Sequence, residues 1–383
     1  MNPIGPSARP DHAYAGPQTR SQWARRIPEL LEDLREAFQS TSTFHLYSQV
    51  AVIAMHWEND DLNVLPLETE LLQTLRDDYG FLTSSYTIPT TNCPNPQTRL
   101  LQHLLAWTTQ HSGENTLRMY VYSGHAGNAG YQSIQWHLAG ALNRNGRLTG
   151  PSINWWDIRG NLEVDPGAVC YVFDCCSAAS GVLKDYAGAE FVAASAWEQP
   201  ASLSQNFCFT RAFIDALKGL KGQNSTLADV YATIVRHAKD SQIEVLPIHI
   251  PKPGTRSVTI GHQDRPMRPA GGCQLKVLLS VNINDPNALN ITDWKEWLSS
   301  NLPPTIRPED LEIEGLYAGS TVILFTVPIQ AWCFLPKNHA YTFISMVTSG
   351  NMLPPWRPSL PSRVAPPLNE NQPFAGGSHK PIR

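Results

Sequence analysis

The sequence predicts an α/β protein: a mostly parallel sheet with helices on both faces, followed by a small α+β unit. Three observations carry this. Apolar runs of strand length alternate with amphipathic runs of helical length, the order that builds parallel sheets. The first of those runs, SQVAVIAMHW (48–57), is nearly continuously apolar, as a strand buried on both faces must be. Late in the chain the alternation stops at PKPGTRSVTIGHQDRPMRPAGG (251–272), rich in Pro, Gly and Arg, and a second run of strands begins.

The elements follow in order. RRIPELLEDLREAFQS (25–40) sets Ile27, Leu30, Leu31, Leu34 and Phe38 on one side of a helix. After the strand at 48–57 come a helix, LETELLQTLRDDYGF (67–81), a short strand, LTSSYTI (82–88), and an amphipathic helix, NPQTRLLQHLLAWTTQHSG (95–113). RMYVYSGHAGNAG (118–130) runs an apolar strand into a turn of small residues with a histidine at its tip. A loop containing INWWDIRG (153–160) leads to GAVCYVFDCCSAASG (167–181), the same design with cysteine in place of histidine. AEFVAASAW (189–197) reads as a strand, CFTRAFIDALKGL (208–220) and TLADVYATIVRHAKD (226–240) as helices, and SVTIG (257–261) as a short strand. Beyond the boundary lie QLKVLLSVNI (274–283), the helix ITDWKEWLSS (291–300), the strands DLEIEGLY (310–317) and TVILFTV (321–327), a short helix, and YTFISMV (341–347). The expected organisation is thus a tail at 1–22, an α/β domain with its leading helix at 23–262, a small α+β domain at 271–349, and a proline-rich tail at 350–383. No internal repeat is visible.

Composition excludes several classes of function. A formal charge of −4 gives no basic footprint, so nucleic acid is not an expected partner. Leu316 to Pro336 carries no charge, but its Gly, Ser, Thr, Gln and central Pro328 mark a strand followed by a proline-started helix rather than a membrane span. Seven cysteines, an odd count without framework spacing, point to a reducing compartment. The N-terminus lacks the apolar core of a signal peptide, and the expected location is cytoplasmic. His237 and His249 are too scattered for a metal site. The sequons at Asn224 and Asn290 are chance matches in such a compartment.

In a sheet of this kind ligands sit beyond the carboxyl ends of the strands, which is where both small-residue turns fall. A thiol becomes a nucleophile when a base stands within hydrogen-bond reach. The small neighbours Ser123, Gly124, Ala126, Gly127, Ser177, Ala178 and Ala179 leave room for a substrate backbone. Alone, such a histidine is an ordinary loop residue and such a cysteine a small core residue; in order and at this separation they suggest a pair.

YVYSGHAG and YVFDCCSAASG resemble the histidine and cysteine boxes of the caspase-like cysteine peptidases, particularly the metacaspases and fungal caspase-like proteins. His125 and Cys176 are 51 residues apart, where that family places them about 50 apart. LRDDYGF, AWEQPAS and CFTRAF also resemble metacaspase segments, so the likeness covers roughly 43–262. It implies a caspase-like fold and a cysteine endopeptidase with Cys176 as nucleophile and His125 as its proton-transfer partner, working as a dyad. Alternation agrees on the nucleophile, because 172, 174 and 176 share one side of an extended segment while Cys175 points with Phe173. The backbone N–H groups of Ala126 and Cys176 would form the oxyanion hole. Asp174 and Ser123 would line a pocket for Arg or Lys at P1, with Asp60, Asp61 or Glu68 as further acidic contributors; the bland reading of Asp174 is a turn cap. Ala126 stands where many relatives have glycine, and SAAS after Cys176 lacks their second histidine. These departures keep a second reading open, a catalytically weak or inactive scaffold or signalling module of the same fold. Thiol–redox chemistry at Cys175–Cys176 is disfavoured, since adjacent cysteines do not close a disulfide of normal geometry.

The resemblance implies a protein or peptide substrate and no obligatory cofactor. Calcium activation is common among metacaspases, yet no EF-hand loop or dense carboxylate cluster is present, and only Asp185 and Glu190 suggest ligands. Lys184, in the glycine-flanked stretch after Cys176, is the expected self-processing site. The unit after 271 would be the place for a partner protein. Trp155 and Trp156 read as packing beneath the loop between the boxes.

Overall fold

The structure, a computed structural model, describes residues 24–41, 47–128, 135–175, 188–194, 208–238, 245–252, 254–261, 268–269, 275–284, 300, 311–316, 321–336 and 338–352. In chain order the first elements are α1 (Ile27–Thr41), β1 (Gln49–Trp57), α2 (Leu65–Tyr79), β2 (Leu82–Ile88), α3 (Pro96–Gln110) and β3 (Thr116–Ser123). Then come β4 (His125–Asn128), β5 (Trp136–Leu142), β6 (Leu148–Asn154), α4 (Trp155–Leu162), β7 (Ala168–Asp174), β8 (Glu190–Ala193) and α5 (Phe209–Leu220). They are followed by β9 (Gln223–Thr226), α6 (Leu227–His237), β10 (Ile248–Ile250), β11 (Thr259–Ile260) and β12 (Arg268–Pro269). The last are β13 (Lys276–Asn282), β14 (Glu312–Leu316), β15 (Val322–Pro328), α7 (Ile329–Phe334) and β16 (Tyr341–Val347).

The central sheet has the order β10-β8-β7-β3-β1-β2. All its pairings are parallel except that of β10 with β8. This is the α/β architecture that the sequence predicts. Alternate residues of β1 divide two cores, as the pleat requires. Val50, Val52 and Ala54 face α2, α5 and α6, whereas Ala51, Ile53, Met55 and Trp57 face α3 and α4. On β7, Cys170 and Val172 join the first core, and Tyr171 and Phe173 the second.

Local chemistry explains the helix ends. Gly80 closes α2 in the left-handed conformation (φ 72°), its N–H reaching the carbonyl of Arg76 at 3.0 Å while Phe81 N–H reaches Leu75 at 3.1 Å. Asn95 caps α3 through Thr98 N–H at 3.0 Å, with Pro96 in the first turn, where its missing donor costs nothing. Thr226 and Asp229 form a reciprocal capping box at the start of α6.

Between the histidine and cysteine strands the sequence predicts only a loop. The structure has a separate antiparallel sheet there, β4-β5-β6, running into α4. Its hairpin turns at Asn143–Gly146, where Asn143 Oδ1 accepts from Asn145 N–H (2.9 Å) and Arg147 N–H (3.1 Å) and Gly146 takes φ 70°. Asn145-Gly146 is a strong hairpin signal, and it marks what the sequence reading missed. Trp155 is fully buried in the second core, as packing requires.

The chain divides into two units, Met1–Ser349 and Gly350–Arg383. Within the first, β14-β15-β13-β16 make an antiparallel sheet. Its Val277, Leu279, Phe325 and Val327 belong to the same apolar core as Leu217 of α5 and Val230 of α6. The leading helix α1, grouped by sequence with the first domain, packs on α7, and Asp33 receives the Tyr341 hydroxyl at 2.5 Å. The helix expected at 291–300 lies outside the described residues apart from Ser300.

Candidate active site

The strand order places a topological switch point between β1 and β3, since β2 lies on one side of β1 and β3 and β7 on the other. Crevices at the carboxyl ends of such strands are where this architecture binds ligands. Around this point the loop after β1 and the turn after β3 leave the sheet, and β7 ends beside them.

β3 and β7 end in register, with Ser123 opposite Asp174. Gly124 N–H donates to the Asp174 carbonyl at 3.2 Å, tying the two strand ends together. Gly124 has φ 151°, and a Cβ there would stand 2.7 Å from the Tyr122 hydroxyl, so the turn requires glycine. That hydroxyl donates to the carbonyl of His125 at 2.8 Å, with the Ala139 carbonyl at 3.2 Å, and burial pushes its pKa well above the ordinary tyrosine value. His125 therefore opens β4 on a fixed backbone, paired with Ala139 of β5.

The His125 ring is only 3% exposed, and its Nε2 lies 2.6 Å from Oδ1 of Asp61. An ionised carboxylate only accepts, so Nε2 carries the proton of this bond and Nδ1 is the remaining nitrogen. Asp61 reaches the ring because its neighbour holds the loop. Asp60 Oδ2 accepts from Val64 N–H at 2.9 Å and Oδ1 from Leu62 N–H at 3.3 Å. Of the three acidic residues suggested for this region, only Asp61 touches the histidine. Glu68 is buried, giving Oε2 to His56 Nδ1 (2.9 Å) and Oε1 to the Ser85 hydroxyl (2.5 Å). This pairing raises the pKa of His56 against the opposing effect of burial.

Asp174 projects to the side of the first core. Its Oδ2 accepts from Thr210 N–H (2.9 Å) and from the Thr210 hydroxyl (2.6 Å) in the first turn of α5. Burial raises its pKa, while both Thr210 bonds oppose the rise. Beside it, burial and the Asp174 charge push the Cys208 thiol up to about 11. Asp174 is thus a cap, though for the next helix rather than for its own turn. Ser123 is buried opposite it. Ala126 is buried in the second core, as is Cys175 beside Phe173, in accord with the alternation. Cys176, Lys184 and Asp185 lie outside the described residues.

Among the described residues no three His, Cys, Asp or Glu side chains cluster to hold a metal. Glu190, suggested as a calcium ligand, is engaged by protein groups. It is 2% exposed and accepts from the Ser257 hydroxyl (2.5 Å) and Val258 N–H (2.7 Å) and pairs with His249 Nε2 (2.5 Å). No described helix is long and apolar enough to cross a membrane.

No family model matches the sequence, and no curated protein matches it. Among solved structures, caspase-1 of Spodoptera frugiperda is similar over 58% of this chain and 94% of its own, at 11% identity and a TM-score of 0.38. A protein of Geobacter sulfurreducens is similar over 58% of this chain and 98% of its own, at 11% identity and a TM-score of 0.37. At these values neither likeness extends to residues or chemistry.

Proposed function

We propose that this protein is a cysteine endopeptidase in which Cys176 attacks the scissile carbonyl and His125 transfers the protons. One observation carries the reading: the rung that pairs Ser123 with Asp174. His125 and Cys176 each follow that rung by two residues, a reach of about 7 Å per chain. That short tether supports placing both at the same carboxyl edge of the sheet, beside the switch point.

In this reading the neutral Nδ1 of His125 takes the thiol proton as Sγ bonds to the carbonyl carbon. The carbonyl oxygen becomes an oxyanion facing the N–H groups of Ala126 and Cys176. The same proton then passes to the leaving amine as the C–N bond breaks; water next adds to the thioester carbon, its proton going to His125 and then to Sγ as the C–S bond breaks. Asp174, half-buried, and Ser123, buried opposite it, favour Arg or Lys at P1. One carboxylate oxygen of Asp174 is engaged by Thr210 and the other remains for a cation.

Cleavage of matched peptides carrying Arg, Lys or Asp at P1 tests this directly. The wild type should cut after Arg and Lys, and Cys176→Ala should abolish turnover and thiol labelling, while Cys175→Ala should retain both. Incubation with and without calcium should reveal a new N-terminus at Asp185 that Cys176→Ala lacks. A preference for Asp at P1 would overturn the specificity. Absence of any thiol-dependent cleavage would leave the scaffold reading in its place.

A further inference from the structure

We propose that Asp61 is a positioning residue for His125, fixing the tautomer and orientation of the candidate base. This rests on the peptidase reading for its rate consequences, but its structural content stands on the described residues alone. The 2.6 Å contact joins a carboxylate to the Nε2 of a ring that is 3% exposed. A carboxylate at Nε2 selects the Nε2–H tautomer and so leaves Nδ1 as the base; a histidine in the other tautomer would offer a proton where the thiol needs an acceptor.

The surrounding chain is built to hold this contact. Asp60 fixes the loop through Leu62 and Val64, and Asn63 turns it with a left-handed backbone (φ 54°). On the other side Gly140 of β5 admits the loop, since a Cβ there would meet Asn59 Oδ1 at 2.1 Å and Trp57 Cβ at 2.8 Å. Asp61 and His125 thus follow adjacent strands, β1 and β3, and meet across the switch point. The Asp61 side chain is 47% exposed, so water replaces it in part when it is removed. The expected loss of rate is therefore about 10- to 100-fold, well short of the ~10⁴-fold seen when a buried triad carboxylate is changed.

The test compares the wild type with Asp61→Ala and Asp61→Asn. Nitrogen-15 NMR of the histidine rings reads the tautomer of His125, and peptide cleavage reads kcat and KM. The wild type should show Nε2–H. Asp61→Ala should lose that preference and lower kcat with KM within about twofold, with the thermal midpoint unchanged. Asp61→Asn, whose amide oxygen can still accept from Nε2–H, should keep the tautomer and recover part of the rate. Retention of the Nε2–H tautomer in Asp61→Ala overturns the proposal whatever the rates do. If the wild type cleaves nothing, the peptidase reading fails, and the tautomer alone still decides the role of Asp61.

Discussion

His56 and Asp174 sit two strands apart at the carboxyl end of the sheet, and each is shifted by a nearby partner or by burial. For His56 the bond to Glu68 puts the folded pKa above the ordinary 6.5. Its stabilisation is therefore complete below that value and is lost as pH rises through the folded value. The Tm advantage of wild type over His56→Gln should shrink as pH rises above the ordinary 6.5 and through the folded value, by thermal melts at each pH; an advantage that grew with pH would contradict the assignment. Asp174 has the opposite logic for a carboxyl. Its folded pKa is raised, so ionisation opposes folding, a cost absent below the ordinary 3.8 and growing as pH rises toward the folded value. Asp174→Asn keeps an acceptor for Thr210 without the charge, and near neutral pH it should be as stable as wild type or more so. Asp174→Ala loses the acceptor and should cost about 1 kcal/mol, as other helix caps do. Both should weaken cleavage after Arg and Lys, which separates the role in specificity from the role in folding.

The loop between β1 and α2 is the element on which the site turns, and β5 is the surface it rests on. Gly140→Ala should push Asn59 and the loop away from β5, destabilising the protein by roughly 1–3 kcal/mol as overpacking does. It should also lower activity although residue 140 touches no reacting atom. Unaltered cleavage with unaltered stability would show that the loop can shift freely. A second tie joins α2 to α5, where Glu70 receives Arg211 in a two-pronged contact (2.7 and 2.8 Å) and Lys218 at 2.7 Å. These bonds from Arg211 and Lys218 lower the Glu70 pKa to about 2. The cluster is about one-third exposed, so its worth is that of a surface network rather than of a buried pair.

At the scale of the molecule, a single apolar core runs across the expected boundary at 262–271. Leu30, Leu34 and Phe38 of α1, Val277 and Val281 of β13, and Phe213 and Leu217 of α5 belong to it together. Polar contacts cross the same boundary: Arg25 N–H reaches the Asn282 carbonyl at 2.8 Å, and the Gln330 side chain bonds to Asp229 of the α6 capping box. A fragment spanning 47–262 would expose apolar surface from several elements at once, each buried large side chain being worth about 1.5–3 kcal/mol. Against a net stability of about 5–15 kcal/mol, that loss is decisive. The fragment should lack a cooperative melt and a near-ultraviolet circular dichroism signal. A sigmoidal melt would instead identify two independent domains.

Strand and helix order was legible from the sequence because each element carries its own periodicity and its own stops, such as Gly80 after α2 and Asn95-Pro96 before α3. The alternation along VFDC put Cys175 on the side of Phe173 for the same reason, a period of two written in adjacent residues. The hairpin at Asn145-Gly146 was equally local and was readable. Other features depend on which strands become neighbours, and no local pattern encodes that. Only the tertiary structure joins Asp61 to His125, because they are 64 residues apart and meet through the pairing of β1 with β3. It also turns Asp174 toward Thr210, 36 residues later, and closes Glu68 upon His56 and Ser85. From sequence the acidic residues after β1 were equivalent carboxylates; folding gives one to a loop, one to a buried histidine pair and one to the candidate base. Hydrogen-bond partners are chosen by packing, and packing is a property of the assembled chain.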